Sequence, residues 1–193
     1  MHKLFWGVVA WCSLLLIPSA ALAQHSHDHV HGEGNLVIVT EANPVTIEFS
    51  SDLWNLVGFE TVPETEAQKN LLSETRATLE NGENILAFNR QAECVLQSAE
   101  SNFAALFEEH NHKDHEDHDS HQDHGLSGDH DDGHVKTKVT YTFQCGRLDR
   151  LNSLSTSLLD QFGNLEKIEA VAFTSSGQLW HQFRKNASKM DLK

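Results

Sequence analysis

Between Glu108 and His134 the sequence carries ten acids, eight histidines and a single lysine, Lys113. A run of this kind cannot leave water without stranding charge, so it cannot form part of a core. It therefore reads as a flexible solvated loop, residues 104–134, separating two foldable stretches, 35–103 and 135–193. It also accounts for most of the chain's acidity. From Gln24 onward there are 13 basic and 28 acidic residues, a net of −15, of which residues 108–134 contribute −9 and the rest −6. Such a balance excludes a nucleic-acid backbone binder and leaves nothing basic to hold an anionic membrane surface.

The first 23 residues read as an address. His2 and Lys3 precede an apolar run from Leu4 to Ile17, then Pro18, Ser19 and the small-residue pattern Ala21-Leu22-Ala23. This is the pattern of a secretory signal peptide cleaved before Gln24. The alternative, a membrane anchor, is disfavoured because the run is short for a span and ends in a cleavage motif. Cys12 lies inside the apolar run and is not placed for lipid attachment. Residues 24–34 form a histidine-rich mature start, and no membrane anchor is expected after cleavage.

Cleavage leaves Cys94 and Cys145 in an oxidising compartment. A Cys94–Cys145 disulfide is the expected state of an even pair there, with two buried free thiols as the alternative. The sequence has no C-x-x-C spacing, which disfavours a cysteine-ligated zinc site.

The body has the periodicities of an α+β fold. A hairpin is expected from Leu36–Glu41 and the alternation Val45, Ile47, Phe49, with Asn43-Pro44 between them. Thr65 and Gln68 make a capping box for a helix with the stripe Ala67, Leu71, Leu72, Thr75 and Leu79, ended by Asn81-Gly82. Cys94–Ser101 reads as a strand, as does Lys138–Phe143. Leu148, Leu151, Leu154, Leu158 and Phe162 predict a second helix stopped by Gly163. Ile168–Thr174 and Gln178–Phe183 read as strands around Ser175-Ser176-Gly177. The expectation is about six strands and two helices in a pseudo-symmetric ββαβ–βαββ order. If Cys94 faces Cys145, residue 94+k faces 145−k, and the disulfide closes the loop at its base, adding about 4 kcal/mol on the chain-entropy model.

The histidines carry the specific chemistry. His25, His27, His29 and His31 alternate with other residues, so in an extended chain all four rings line one edge. In the loop come His110 and His112, then His115, His118, His121 and His124, then His130 and His134, with Asp114, Asp117 and Asp123 beside them. The five histidines from His112 to His124 are spaced by three, which puts them on one face of a polyproline-II-like chain. Imidazole and carboxylate suit Zn²⁺, with Ni²⁺, Cu²⁺ and Co²⁺ as competitors in vitro. Gly125, Gly128 and Gly133 keep the segment soft, so several weak, exchangeable sites are expected rather than one closed structural site. His181 differs. It faces the same side as Leu179 and Phe183 and reads as a hydrogen-bonded core histidine.

Several of these features together resemble the ZrgA family of zinc-regulated periplasmic proteins. They are the leader, the start His31-Gly32-Glu33-Gly34-Asn35-Leu36, the string Asn55-Leu56-Val57-Gly58-Phe59-Glu60, and the His/Asp loop between two cysteine-bearing strands. The resemblance implies a periplasmic α+β protein that binds zinc and assists high-affinity uptake beside an ABC-type importer or its solute-binding protein. It also implies a histidine after the Phe-Glu pair, where this chain has Thr61. A body site using that histidine would be weakened here.

Other functions fit less well. No H-E-x-x-H, G-x-S-x-G or P-loop pattern occurs, so the expectation is a binding protein and not an enzyme. Roughly 170 mature residues are too few for a two-lobed receptor. A nickel, copper or cobalt carrier is the alternative, although only Met1 and Met190 are present to suit Cu(I). Because ligating imidazoles must be unprotonated, zinc occupancy should fall steeply as pH drops below about 6. Equilibrium dialysis across pH 5 to 8 measures this, and pH-independent occupancy would contradict histidine ligation.

Overall fold

Alternating burial builds the central sheet in a computed structural model describing residues 31–61, 63–106 and 135–193. Strands β1 (Glu33–Val39) and β2 (Val45–Asp52) bury every second side chain and form the expected hairpin. β2 pairs antiparallel with β5 (Lys136–Cys145), and β5 with β4 (Cys94–Ser101). On the other flank β1 runs parallel to β7 (Lys167–Thr174), which makes a hairpin with β8 (Gly177–Phe183). The order is β4-β5-β2-β1-β7-β8, so strands from before and after the histidine loop share one sheet.

One face of this sheet is the core. Leu36, Ile38, Ile47, Phe49, Tyr141, Ile168 and Phe183 are almost fully buried. Short helix α1 (Leu53–Val57) follows β2 directly, and α2 (Glu66–Glu80) starts at the expected capping box. There Gln68 N donates to Thr65 Oγ1 at 3.2 Å and Thr65 N donates to Gln68 Oε1 at 3.0 Å. The buried stripe of α2 is Leu72, Thr75 and Leu79; Ala67 and Leu71 lie outside it, exposed. Asn81 ends α2, and Gly82 opens a four-residue turn of helix, α3 (Gly82–Ile85). Gly82 is needed for close approach rather than for a left-handed turn. A Cβ there would sit 2.7 Å from a ring carbon of Tyr141. The Tyr141 hydroxyl donates to Leu79 O at 2.9 Å, and burial, then the charge of Glu80, pushes the phenol well above its ordinary pKa.

The α+β class stands, with nine strands and four α-helices among the described residues. The expected helix over Leu148–Phe162 is not formed. In its place are a 3-10 turn (Leu148–Arg150), strand β6 (Ser153–Thr156) and one turn of helix, α4 (Leu158–Gln161). Leu151, Leu154 and Leu158 are buried as the stripe requires. Between them, however, lies Asn152-Ser153-Leu154-Ser155-Thr156-Ser157, a run whose polar groups compete with helical hydrogen bonds. Asn89 Oδ1 accepts from the backbone N–H of both Asn152 and Ser153, fixing them outside a helix. β6 instead pairs with β3 (Leu86–Phe88) and β9 (Lys189–Asp191) in a small second sheet. Strands of three or four residues are too short to show a period in sequence.

The ladder closing the histidine loop follows the expected register only at its far end. Cys94, Val95 and Leu96 face Cys145, Gln144 and Phe143, but Ser98 faces Thr142 and Ser101 faces Val139. Gln97 is the extra residue of a β-bulge, and it shifts the pairing by one. The disulfide Cys94–Cys145 is present, although not at the loop's base. It lies at the opposite end of the ladder, about 20 Å from Ser101 at a strand's rise per residue. The root is held by Asn102. Its Nδ2 donates to Lys136 O at 2.9 Å, its Oδ1 accepts from Lys138 N at 3.0 Å, and Phe103 beyond it is fully buried. Cys94→Ser should lower the unfolding free energy by up to about 4 kcal/mol, read from the urea midpoint. Zinc stoichiometry of the folded variant at low temperature should be unchanged, and a loss of bound metal there would contradict the separation of disulfide from ligands.

Candidate metal-capture edge

Both histidine segments enter the body at one end of the six-stranded sheet. Gly34, Ser51 and Thr137 form a single row across β1, β2 and β5. His31 lies three residues before Gly34, and His134 three residues before Thr137. With β1 and β5 flanking β2, the two entry points are about 10 Å apart. Side chains lace this row together. Thr137 Oγ1 donates to Ser51 O at 2.8 Å, and Ser51 Oγ donates to Glu33 O at 3.1 Å. Leu53 N donates to Val135 O at 2.8 Å, which ties the first described residue after the loop to the start of α1.

The Asn55–Glu60 string does the positioning. Asn55 is fully buried. Its Oδ1 accepts from Gly32 N at 2.7 Å, and its Nδ2 donates to Glu33 O at 2.9 Å and Ser51 Oγ at 3.0 Å. One buried amide thus clamps the end of the first histidine segment to the sheet. Gly58 then caps α1 in the left-handed region (φ 79°), where glycine is favoured, and turns the chain back. Glu60 thereby comes to His31, with Oε1 3.4 Å from Nε2. The Trp54 indole packs against the same imidazole, ring centroids 4.5 Å apart at 73°.

Charge at this edge is partly paired off. Lys167 Nζ lies 2.9 Å from Glu33 Oε2 and 3.6 Å from Glu169 Oε1. The hydrogen bond to Glu33 is the main reason the lysine is held above its ordinary pKa. Glu169 is held below its ordinary value, chiefly because Gln182 donates to it.

Among the expected ligands the structure describes only His31, half-exposed at this edge. His25, His27, His29, His110, His112, His115, His118, His121, His124, His130, His134, Asp114, Asp117 and Asp123 lie outside the described residues. Among the described residues no group of three or more His, Cys, Asp or Glu is arranged to hold a metal. His181 needs a correction. It is half-buried against Phe183, centroids 4.6 Å apart, but its Nε2 is buried with no hydrogen-bond partner among the described residues. A groove of about 510 Å³ lies at the other end of the sheet by Thr40, Asp149, Thr174 and Lys193, and no imidazole or thiol lines it. Sequence reasoning missed the pairing of Glu60 and Trp54 with His31. The available signal was a polar Asn and Glu bracketing an otherwise apolar string.

The profile of the ZrgA family of zinc uptake proteins matches residues 28–192. The chain belongs to that family. The match begins inside the first histidine segment and runs through the edge described above. ZrgA membership gives the chain a role in zinc uptake, with zinc as its cargo, and is consistent with an extracytoplasmic location. Among curated proteins, none matches the sequence. Asn55→Ala should destabilise the fold by about 2 kcal/mol, since it strands buried partners. It should also raise amide exchange at Gly32 selectively, and unaltered protection of Gly32 would contradict the clamp.

Proposed function

We propose that this chain is a periplasmic zinc-binding protein that captures or buffers Zn²⁺ on its two histidine segments. It would assist uptake by passing the ion towards an ABC-type importer or its solute-binding protein, with no catalytic step of its own. The ligands would be the imidazoles of residues 25–31 and 110–134, aided by Asp114, Asp117 and Asp123. The observation that carries this reading is the shared edge. In a family of zinc uptake proteins, two histidine segments far apart in sequence are rooted about 10 Å apart on a rigid sheet. Ions taken by either segment are thus delivered to one face of the molecule.

The physical chemistry suits exchange more than storage. Imidazole and carboxylate are borderline ligands for Zn²⁺, and soft glycine-bearing segments must be ordered at each binding event. Affinity is lowered accordingly, and release to a tighter acceptor is eased. Nickel, copper or cobalt is the alternative cargo by donor type alone. Against Cu(I), Met190 is buried at 2% exposure in β9, far from being a surface thioether.

Native mass spectrometry of the mature protein, with and without residues 108–134, tests the reading. The full chain should hold more than one Zn²⁺, and the deletion should remove most of that capacity. Unchanged stoichiometry would overturn the assignment of the loop.

A further inference from the structure

We infer that His31 and Glu60 are two ligands of a divalent-cation site on the folded body, beside the histidine segments. The inference rests on the reading above that the cargo is Zn²⁺, and it assigns that ion a fixed contact on the rigid sheet edge.

The separation is the first argument. His31 Nε2 and Glu60 Oε1 are 3.4 Å apart. That is longer than the roughly 2.7–2.9 Å of a charge-assisted N–H···O⁻ bond. It equals the ligand-to-ligand edge of a tetrahedral zinc site, about 3.4 Å for Zn–N and Zn–O bonds near 2.1 Å. The two atoms are therefore spaced to share a cation with little movement.

Their support is the second argument. Trp54 packs edge-on against the imidazole and restricts its rotation. Asn55 fixes the neighbouring Gly32 through its backbone N–H. Glu60 follows directly on the left-handed turn at Gly58, itself capping α1 through a 2.8 Å bond from Gly58 N to Trp54 O. Both ligands thus hang from one short helix and its caps, as positioning around a metal requires.

Accessibility is the third. The side chains are 52% and 32% exposed, so the pair can be reached from solvent by an ion and by a further donor. Two other carboxylates lie near this edge. Glu33 is bonded to Lys167, and the stem of Glu166 lies against Gly32, where a Cβ would meet its Cγ at 3.1 Å. Two body ligands with two open positions make a transit point, where structural zinc sites close all four.

The test is a titration of ¹⁵N-labelled full-length mature protein with Zn²⁺ alone at fixed neutral pH. It follows the Trp54 indole N–H, assigned with Trp54→Phe, and the His31 ring nitrogens, assigned with His31→Gln. Both sets of signals should move saturably. Glu60→Gln should weaken the transition seen at Trp54 by about tenfold or more, leaving the Trp180 indole signal where it is without metal. Native mass spectrometry of the same samples counts total zinc. Zinc bound with Trp54 and His31 silent overturns this site while leaving the capture role intact, and no zinc bound at all overturns both. An undiminished Trp54 response in Glu60→Gln overturns Glu60 as a ligand.

Discussion

The β4–β5 ladder has to close an excursion of nearly thirty residues, about two-thirds of them acids and histidines. That closure sets one flank of the sheet, because β5 pairs with β4 on one side and β2 on the other, while β7 on β1 makes the second link between the two halves of the chain. Loop entropy opposes the pairing, and three separate devices oppose the entropy. The disulfide pins the far end, with Asn43 bonded to Cys145 through both its amide groups. Tyr141 anchors the middle by burying its ring against Gly82 and bonding Leu79 O. Asn102 and Phe103 lock the root. The strongest covalent constraint is therefore separated from the loop by the length of the ladder, and the disulfide and the entry points of the histidine segments occupy opposite ends.

That separation gives the molecule a polarity. One end of the sheet carries the disulfide and the broad groove, and the other carries the entry points of both histidine segments with His31, Trp54 and Glu60. Under the proposed capture role, the row Gly34–Ser51–Thr137, tied by side-chain hydrogen bonds, would give an acceptor a fixed reference beside the entry points of both histidine segments.

Much of this was legible from residues alone where a long period or a strong local signal existed. The β1–β2 hairpin, the capping box of α2, the β7–β8 turn at Gly177 and the cysteine pairing all follow from such signals. The stripe from Leu148 to Phe162 misled because its leucines are buried at helical spacing while the serines, Thr156 and Asn152 between them bond elsewhere. The bulge at Gln97 left no mark in composition, so the expected register is off by one beyond Leu96. His181 has the pattern of a core histidine but its Nε2 lacks the expected partner among the described residues, a matter of three-dimensional placement that the alternation of strand residues does not encode. Likewise Asn55 and Glu60 are visible as letters, and their meeting with Gly32 and His31 depends on a turn at Gly58.

Zinc K-edge X-ray absorption on the zinc-loaded mature chain tests the central claim most directly. The account predicts a first shell of nitrogen and oxygen at about 2.0–2.2 Å with the outer-shell pattern of imidazole and no sulfur near 2.3 Å. A sulfur shell, or a hydrated ion without imidazole scattering, would contradict it.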